Sequence, residues 1–139
     1  MKLSEIKKIK ELTDEWRNVV EQILNGEPDI QTDNYRFIDD DFIDDIMQEE
    51  LGSDEYILGC FNAWFLADIL NIDQDVIVAM QQAEAYEALG KLVLSLGKIE
   101  ELQVAYRQAD GYGHHFAHYD HNDTEETFNG SDYHIFRIN

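Results

Sequence analysis

Nine carboxylates stand in the twenty-one residues from Arg36 to Tyr56, "RFIDDDFIDDIMQEELGSDEY", and no base follows the first position. They are Asp39, Asp40, Asp41, Asp44, Asp45, Glu49, Glu50, Asp54 and Glu55. Carboxylates massed in this way can coordinate a hard cation, pair with the lysines and arginines of a partner, or simply keep a surface solvated. Calcium is disfavoured, because no D-x-[DN]-x-[DN]-G loop with its distal glutamate occurs. The base-free tract continues to Lys91 and holds fourteen acids, Asp68, Asp73, Asp75, Glu84 and Glu87 being the remainder.

A second constellation is imidazole-rich. All five histidines fall between His114 and His134, and "HHFAHYDH" sets His114, His118 and Asp120 at alternating positions. On a strand these would share one face, a set suited to zinc or to an iron with open positions. No H-E-x-x-H helix and no second cysteine supports them. The preferred reading is half-buried sheet histidines beside Tyr112, Tyr119 and Tyr133, with no metal and no cofactor expected. Nucleophilic chemistry has little support: Cys60 in "ILGCFNAWF" reads as a buried, inert thiol, and no G-x-S-x-G, Walker or dinucleotide glycine pattern occurs. Catalysis is therefore not expected.

The elements that must position these groups follow from periodicity. Ile6, Ile9, Leu12, Trp16, Val19 and Ile23 mark an amphipathic helix over 4–25, with Gly26 and Pro28 as stop signals. "GEPDIQTDNY" reads as a loop. From Arg36 a second helix is expected, with Asp39 as N-cap, an Ile38–Phe42–Ile46 stripe facing the core and Gly52 at its end. "DEYILGCFNAWFLADIL" is apolar almost all round and is expected to be the central buried helix. Asp73 can cap a fourth helix running through "VIVAMQQAEAYEALGKLVLSL", and a fifth spans about 98–109. After "DGYG", the stretches "HHFAHYD", "EETF" and "YHIFRI" read as strands, with "NGSD" as a hairpin turn. The expectation is one α+β domain over 1–139: a mainly helical body of about five helices (4–109) and a small C-terminal antiparallel β-sheet or hairpin (112–138).

Composition narrows the class. The chain has 139 residues, 44% hydrophobic and 12% aromatic, which is a globular profile. Its formal net charge of −20 exceeds what solubility of a small domain requires, a magnitude of roughly 2–8. Direct binding of nucleic acid or anionic lipid is disfavoured, since phosphate is repelled. The outline of a helix-turn-helix in "FLADILNIDQDVIVAMQQAE" carries Asp73 and Asp75 where a recognition helix needs bases, and so reads as ordinary packing around Trp64 and Phe65. One cysteine, no long apolar run and no signal-peptide pattern point to a cytoplasmic chain with no membrane partner. A homodimer is compatible with all of this.

Charge density then gives the acids a specific meaning. On a helix rising about 1.5 Å per residue, the seven acids from Asp39 to Glu50 correspond to one carboxylate per roughly 2.6 Å. Duplex DNA carries one charge per about 1.7 Å, and a single strand one per about 3.4 Å. Such a helix works against itself, because like charges at i,i+4 (Asp40 with Asp44, Asp41 with Asp45) cost a few tenths of a kcal/mol each. The ending "HFAHYD…FNGSDYHIFRIN", with the acidic composition, resembles the antirestriction proteins of mobile elements and phages of the ArdA type. The likeness covers about 25 of 139 residues. It implies a protein charged and shaped like bent DNA that occupies the DNA groove of a restriction enzyme, with exposed acids replacing phosphates and no catalytic residues. The expectation is a non-enzymatic acidic interaction protein whose partner is the basic surface of a nucleic-acid-binding protein, a host defence or DNA-processing protein among them. The nine acids from Asp39 to Glu55 are its expected partner-binding residues. The alternatives are a metal-binding protein or metal-dependent enzyme centred on His114, His118 and Asp120, and a structural accessory subunit with a solvated acidic face.

Overall fold

A computed structural model describes residues 16–139; the expected first helix before Trp16 lies outside the described residues. In chain order the elements are α1 (Trp16–Leu24), β1 (Asp29–Gln31), β2 (Tyr35–Asp39), α2 (Ile43–Gly52), α3 (Glu55–Gly59), α4 (Ala63–Leu70), α5 (Gln74–Gln82), α6 (Tyr86–Ser95), α7 (Ile99–Phe116), β3 (Thr124–Phe128) and β4 (Ser131–Arg137). The fold is α+β, with seven helices among the described residues where about five were expected. The chain divides into two compact units, Met1–Ile43 with Asp110–Asn139, and Asp44–Ala109. Among the described residues no helix is long and apolar enough to cross a membrane.

The first unit is built on an antiparallel sheet of order β1-β2-β4-β3. The expected C-terminal hairpin is present as β3 and β4, and Asn129 and Gly130 both take positive φ at its turn, as a two-residue hairpin loop requires. Two further strands come from Asp29–Asp39, where a loop and a helix were expected. The alternation in "YRFID" explains the difference: Tyr35 and Phe37 face one side, Arg36 and Ile38 the other, so a period of two outranks the helical spacing. One face packs Ile30, Tyr35, Phe37, Phe128, Tyr133 and Ile135 against Val19 and Ile23 of α1. On the other, Phe136 meets Phe116 at 5.1 Å between ring centroids.

Asp39 therefore ends a strand instead of capping a helix. Its side chain accepts from the Asp41 backbone N–H (2.9 Å), and its carbonyl from that of Phe42 (3.0 Å), which turns the chain into α2. The core stripe shifts accordingly: Ile43, Met47 and Leu51 are buried, whereas Phe42 is exposed. The expected strand "HHFAHYD" is instead the end of α7 followed by a turn, the helix being broken at Gly111 (φ 81°, ψ 167°).

The second unit is helical. The expected central helix is interrupted after Gly59, which leaves α3 and α4 short and exposes Tyr56, Ile57 and Trp64. Cys60, expected to be buried, is exposed at that interruption, with its N–H on the Ile57 carbonyl. Asp54 caps α3 through the Ile57 N–H, and Asp73 caps α5 through the Asp75 N–H, as expected for Asp73. The expected long fourth helix divides into α5 and α6 near Glu84, which has φ 59°. The buried side chain of Gln103 joins α7 to α2: its Nε2 donates to Asp44 Oδ1 (2.8 Å), and its Oε1 accepts from Gln48 (3.1 Å).

Two glycines let α3 and α6 approach backbone to backbone. A Cβ on Gly90 would sit 1.8 Å from the Glu55 carbonyl oxygen, and one on Gly59 equally close to that of Tyr86. Helix propensity favours alanine over glycine by about 1 kcal/mol, but a clash with main chain admits no rotamer escape and costs about 1–3 kcal/mol or more. Gly90→Ala should therefore lower the thermal midpoint by several degrees. Gly52→Ala, whose Cβ would meet Leu94 at an ordinary 3.6 Å, should leave it unchanged or raise it. Thermal melts of the two variants check the opposite signs.

Candidate acidic interface and the His134 cluster

The nine acids from Asp39 to Glu55 differ in what the fold does with them. Asp39, expected to face a partner, is buried at 7% exposure as the last residue of β2, its side chain engaged by the Asp41 N–H. Asp40 is exposed and binds His134. Asp44 is held by Gln103 and lies 3.5 Å from Arg107 Nε. Asp54 serves as a helix cap, and Glu55 lies 3.9 Å from Lys91. Glu50 is half-buried, and Asp41, Asp45 and Glu49 are exposed. Asp39, Asp40 and Asp41 belong to the first unit and the other six to the second.

The single charged helix assumed for this run is thus shorter than expected. Only Asp44, Asp45, Glu49 and Glu50 lie on α2, so the pairs Asp40/Asp44 and Asp41/Asp45 are not helical i,i+4 neighbours. The like-charged i,i+4 pair on α2 is Asp45 with Glu49. Four acids over its ten residues give one per about 4 Å of axis, close to the spacing of a single strand rather than a duplex.

In the second unit thirteen acids accompany three bases, and each base lies near a carboxylate of the same unit. Lys91 Nζ is 3.7 Å from Glu87 and 3.9 Å from Glu55, Lys98 Nζ is 3.2 Å from Glu101, and Arg107 Nε is 3.5 Å from Asp44. Asp45, Glu49, Asp68, Asp75, Glu84 and Glu100 remain exposed. Trp64, at 61% exposure, stands one helical turn before Asp68 on α4. An open groove of about 400 Å³ in this unit has Ile69, Val104 and Ala105 in its lining together with Glu100, Glu101 and Gln108.

A second cluster, in the first unit, escapes a reading confined to local sequence. His134 lies on β4 opposite Ile38 of β2 and Glu125 of β3. Asp40 stands two residues beyond Ile38, and Asp123 two before Glu125, so the pleat brings all three acids toward the His134 side. The ring is 1% exposed. Its Nε2 is 2.7 Å from Asp40 Oδ1, its Nδ1 is 2.9 and 3.0 Å from the two Asp123 oxygens, and Glu125 Oε1 is 3.5 Å from Nδ1. The Tyr112 ring meets it edge-on, at 5.1 Å between centroids.

No family model, no curated protein and no solved structure matches this chain.

Asp40, Glu125 and His134 each offer a metal-ligand atom within 4.8 Å of the others. This group includes none of His114, His118 and Asp120. Those three do not share a strand face, because His114 is helical and Asp120 lies in the turn after α7. The informative histidine is His134, and its signal in the sequence was its place in the alternating "YHIFRI".

Burial alone would push the His134 pKa down. The hydrogen bonds to Asp123 and Asp40, with the charges of Asp123 and Glu125, outweigh it and raise the pKa to about 9. Folding thus favours the imidazolium. The resulting stabilisation is complete below the unfolded value of about 6.5 and is lost as pH rises through about 9, on the order of 3 kcal/mol in all. In buffer free of divalent cations, denaturant titrations of the wild type should show this fall between pH 6.5 and 9. His134→Gln should lack the step and be less stable at pH 6.

Proposed function

We propose that this chain is a non-enzymatic acidic interaction protein of cytoplasmic setting that occupies the basic nucleic-acid-binding surface of another protein, its carboxylates taking the place of phosphates. The observation that carries this reading is the fate of the bases in the second unit. All three sit beside carboxylates of their own unit, so the exposed acids keep a field of one sign. Solvation alone asks for far less charge, and Asp45 beside Glu49 costs the helix a few tenths of a kcal/mol. The resemblance of "HFAHYD…FNGSDYHIFRIN" to antirestriction proteins favours a defence or DNA-processing protein as the target, and a phage or mobile element as the source of the inhibitor. Trp64 adds a side chain of the kind that anchors interfaces, in acidic surroundings that suit a basic partner.

The residues of choice for phosphate replacement are the exposed ones, Asp41, Asp45 and Glu49, ahead of the acids already engaged in turns, caps and internal pairs. Capture from host lysate on the immobilised chain, with and without competing duplex DNA, tests the reading. The expected result is a DNA-binding protein that duplex DNA displaces and that is lost between about 50 and 500 mM salt, as screening shortens the electrostatic range. Asp41→Asn, Asp45→Asn and Glu49→Gln together should slow its association severalfold while leaving stability unchanged or slightly raised. A captured protein indifferent to DNA, salt and these substitutions would leave the acids as a solvated face.

A further inference from the structure

We infer that Asp40, Glu125 and His134 form a binding site for a divalent metal ion of the zinc class, independent of the acidic interface. Their ligand atoms already lie within 4.8 Å of one another. A tetrahedral ion with bonds of about 2.0–2.2 Å holds its ligand atoms roughly 3.3–3.5 Å apart. The groups that must move are the exposed ones: the Asp40 and Glu125 side chains are 51% and 59% exposed, while the His134 ring on the inner strand β4 is 1% exposed. To admit the ion at Nε2, the 2.7 Å contact between Nε2 and Asp40 Oδ1 must lengthen, and the Glu125 carboxylate, 3.5 Å from Nδ1, must swing toward the Nε2 side.

The outer partner is in place as well. Asp123 receives Nδ1–H at 2.9 Å, and a metal-binding histidine characteristically donates its second ring nitrogen to a carboxylate, which fixes both tautomer and ring orientation. That bond reserves Nε2 for the metal, which displaces the Nε2 proton to solvent on binding. Three protein ligands leave a fourth position to water or to an exogenous donor, and one nitrogen with two oxygens suits zinc, with manganese as a second occupant. Two metal-bound carboxylates and a neutral imidazole would balance the charge of a dication.

The test uses the whole chain with Zn²⁺ alone as the probe, by calorimetric titration and by thermal shift. The expected result is one tight site and a raised melting temperature. Glu125→Gln, which removes a ligand and leaves the hydrogen bonds of His134 to Asp123 and Asp40 in place, should weaken binding at least tenfold. Asp40→Asn with Glu125→Gln should abolish it, and Asp123→Asn should weaken it about 10–100-fold, as loss of an outer partner does. His114→Asn with His121→Asn, which removes an exposed histidine pair, should leave the site intact. Circular dichroism confirms that each variant is folded. Absence of binding, binding that survives in Asp40→Asn with Glu125→Gln, or binding lost with His114 and His121 overturns the inference.

Discussion

Thirty carboxylates against ten bases place the folded chain under self-repulsion, a constraint the fold has to accommodate. The fold offsets it in three ways. Some carboxylates become structural acceptors of backbone N–H groups: Asp39 in the turn after β2, Asp54 and Asp73 at helix starts, and Asp120 in the turn before β3. Others surround a cation, as Asp40, Asp123 and Glu125 do at His134, and Asp29 does at Arg36 (2.7 Å). Others again, Asp41, Asp45 and Glu49 among them, face water. This division turns an undifferentiated acidic run into a small set of residues with separate duties.

The apolar framework that withstands the repulsion differs between the units. In the first, a four-stranded sheet is filled on one face by α1 and on the other by the aromatic group of Phe116 and Phe136, and β4 contributes to both faces. The strand that gives Tyr133 and Ile135 to one side gives His134 and Phe136 to the other. Tyr133 shows the electrostatic cost of that placement: burial first, then the charges of Asp39 and Glu27, raise its pKa, while its hydroxyl donates to the Glu27 carbonyl. In the second unit the short helices gain close packing from Gly59 and Gly90, where the absence of a side chain admits direct main-chain contact.

Much of the architecture was legible wherever the local pattern was unambiguous. The α+β class, the C-terminal hairpin with its Asn-Gly turn, the end of α1 before Gly26 and the Asp73 cap all follow from periodicity and turn chemistry. The departures from local pattern share a cause. "YRFID" and the start of α2 adjoin without a glycine or proline to separate them, so a strand and a helix merged into one apparent period. The apolar run around Trp64 suggested a buried helix, because hydrophobicity without a breaker does not reveal an interruption after Gly59. The His134 cluster was illegible for a different reason: Asp40 and His134 are ninety-four positions apart and meet only through the β2–β4 register. Local spacing groups His114, His118 and Asp120, which the fold separates by ending α7 among them.

Exposed carboxylates such as Asp45 and Glu49, one helical turn apart on α2, stay on the surface at a cost to the fold. The most direct measurement is the melting temperature as a function of sodium chloride between about 20 and 500 mM, over which the Debye length falls severalfold. Screening should raise the melting temperature of the wild type by several degrees, and should raise that of Asp45→Asn with Glu49→Gln by less. A melting temperature that is flat or falling with salt would mean that internal ion pairs balance the surface charge and that the exposed acids cost the fold nothing.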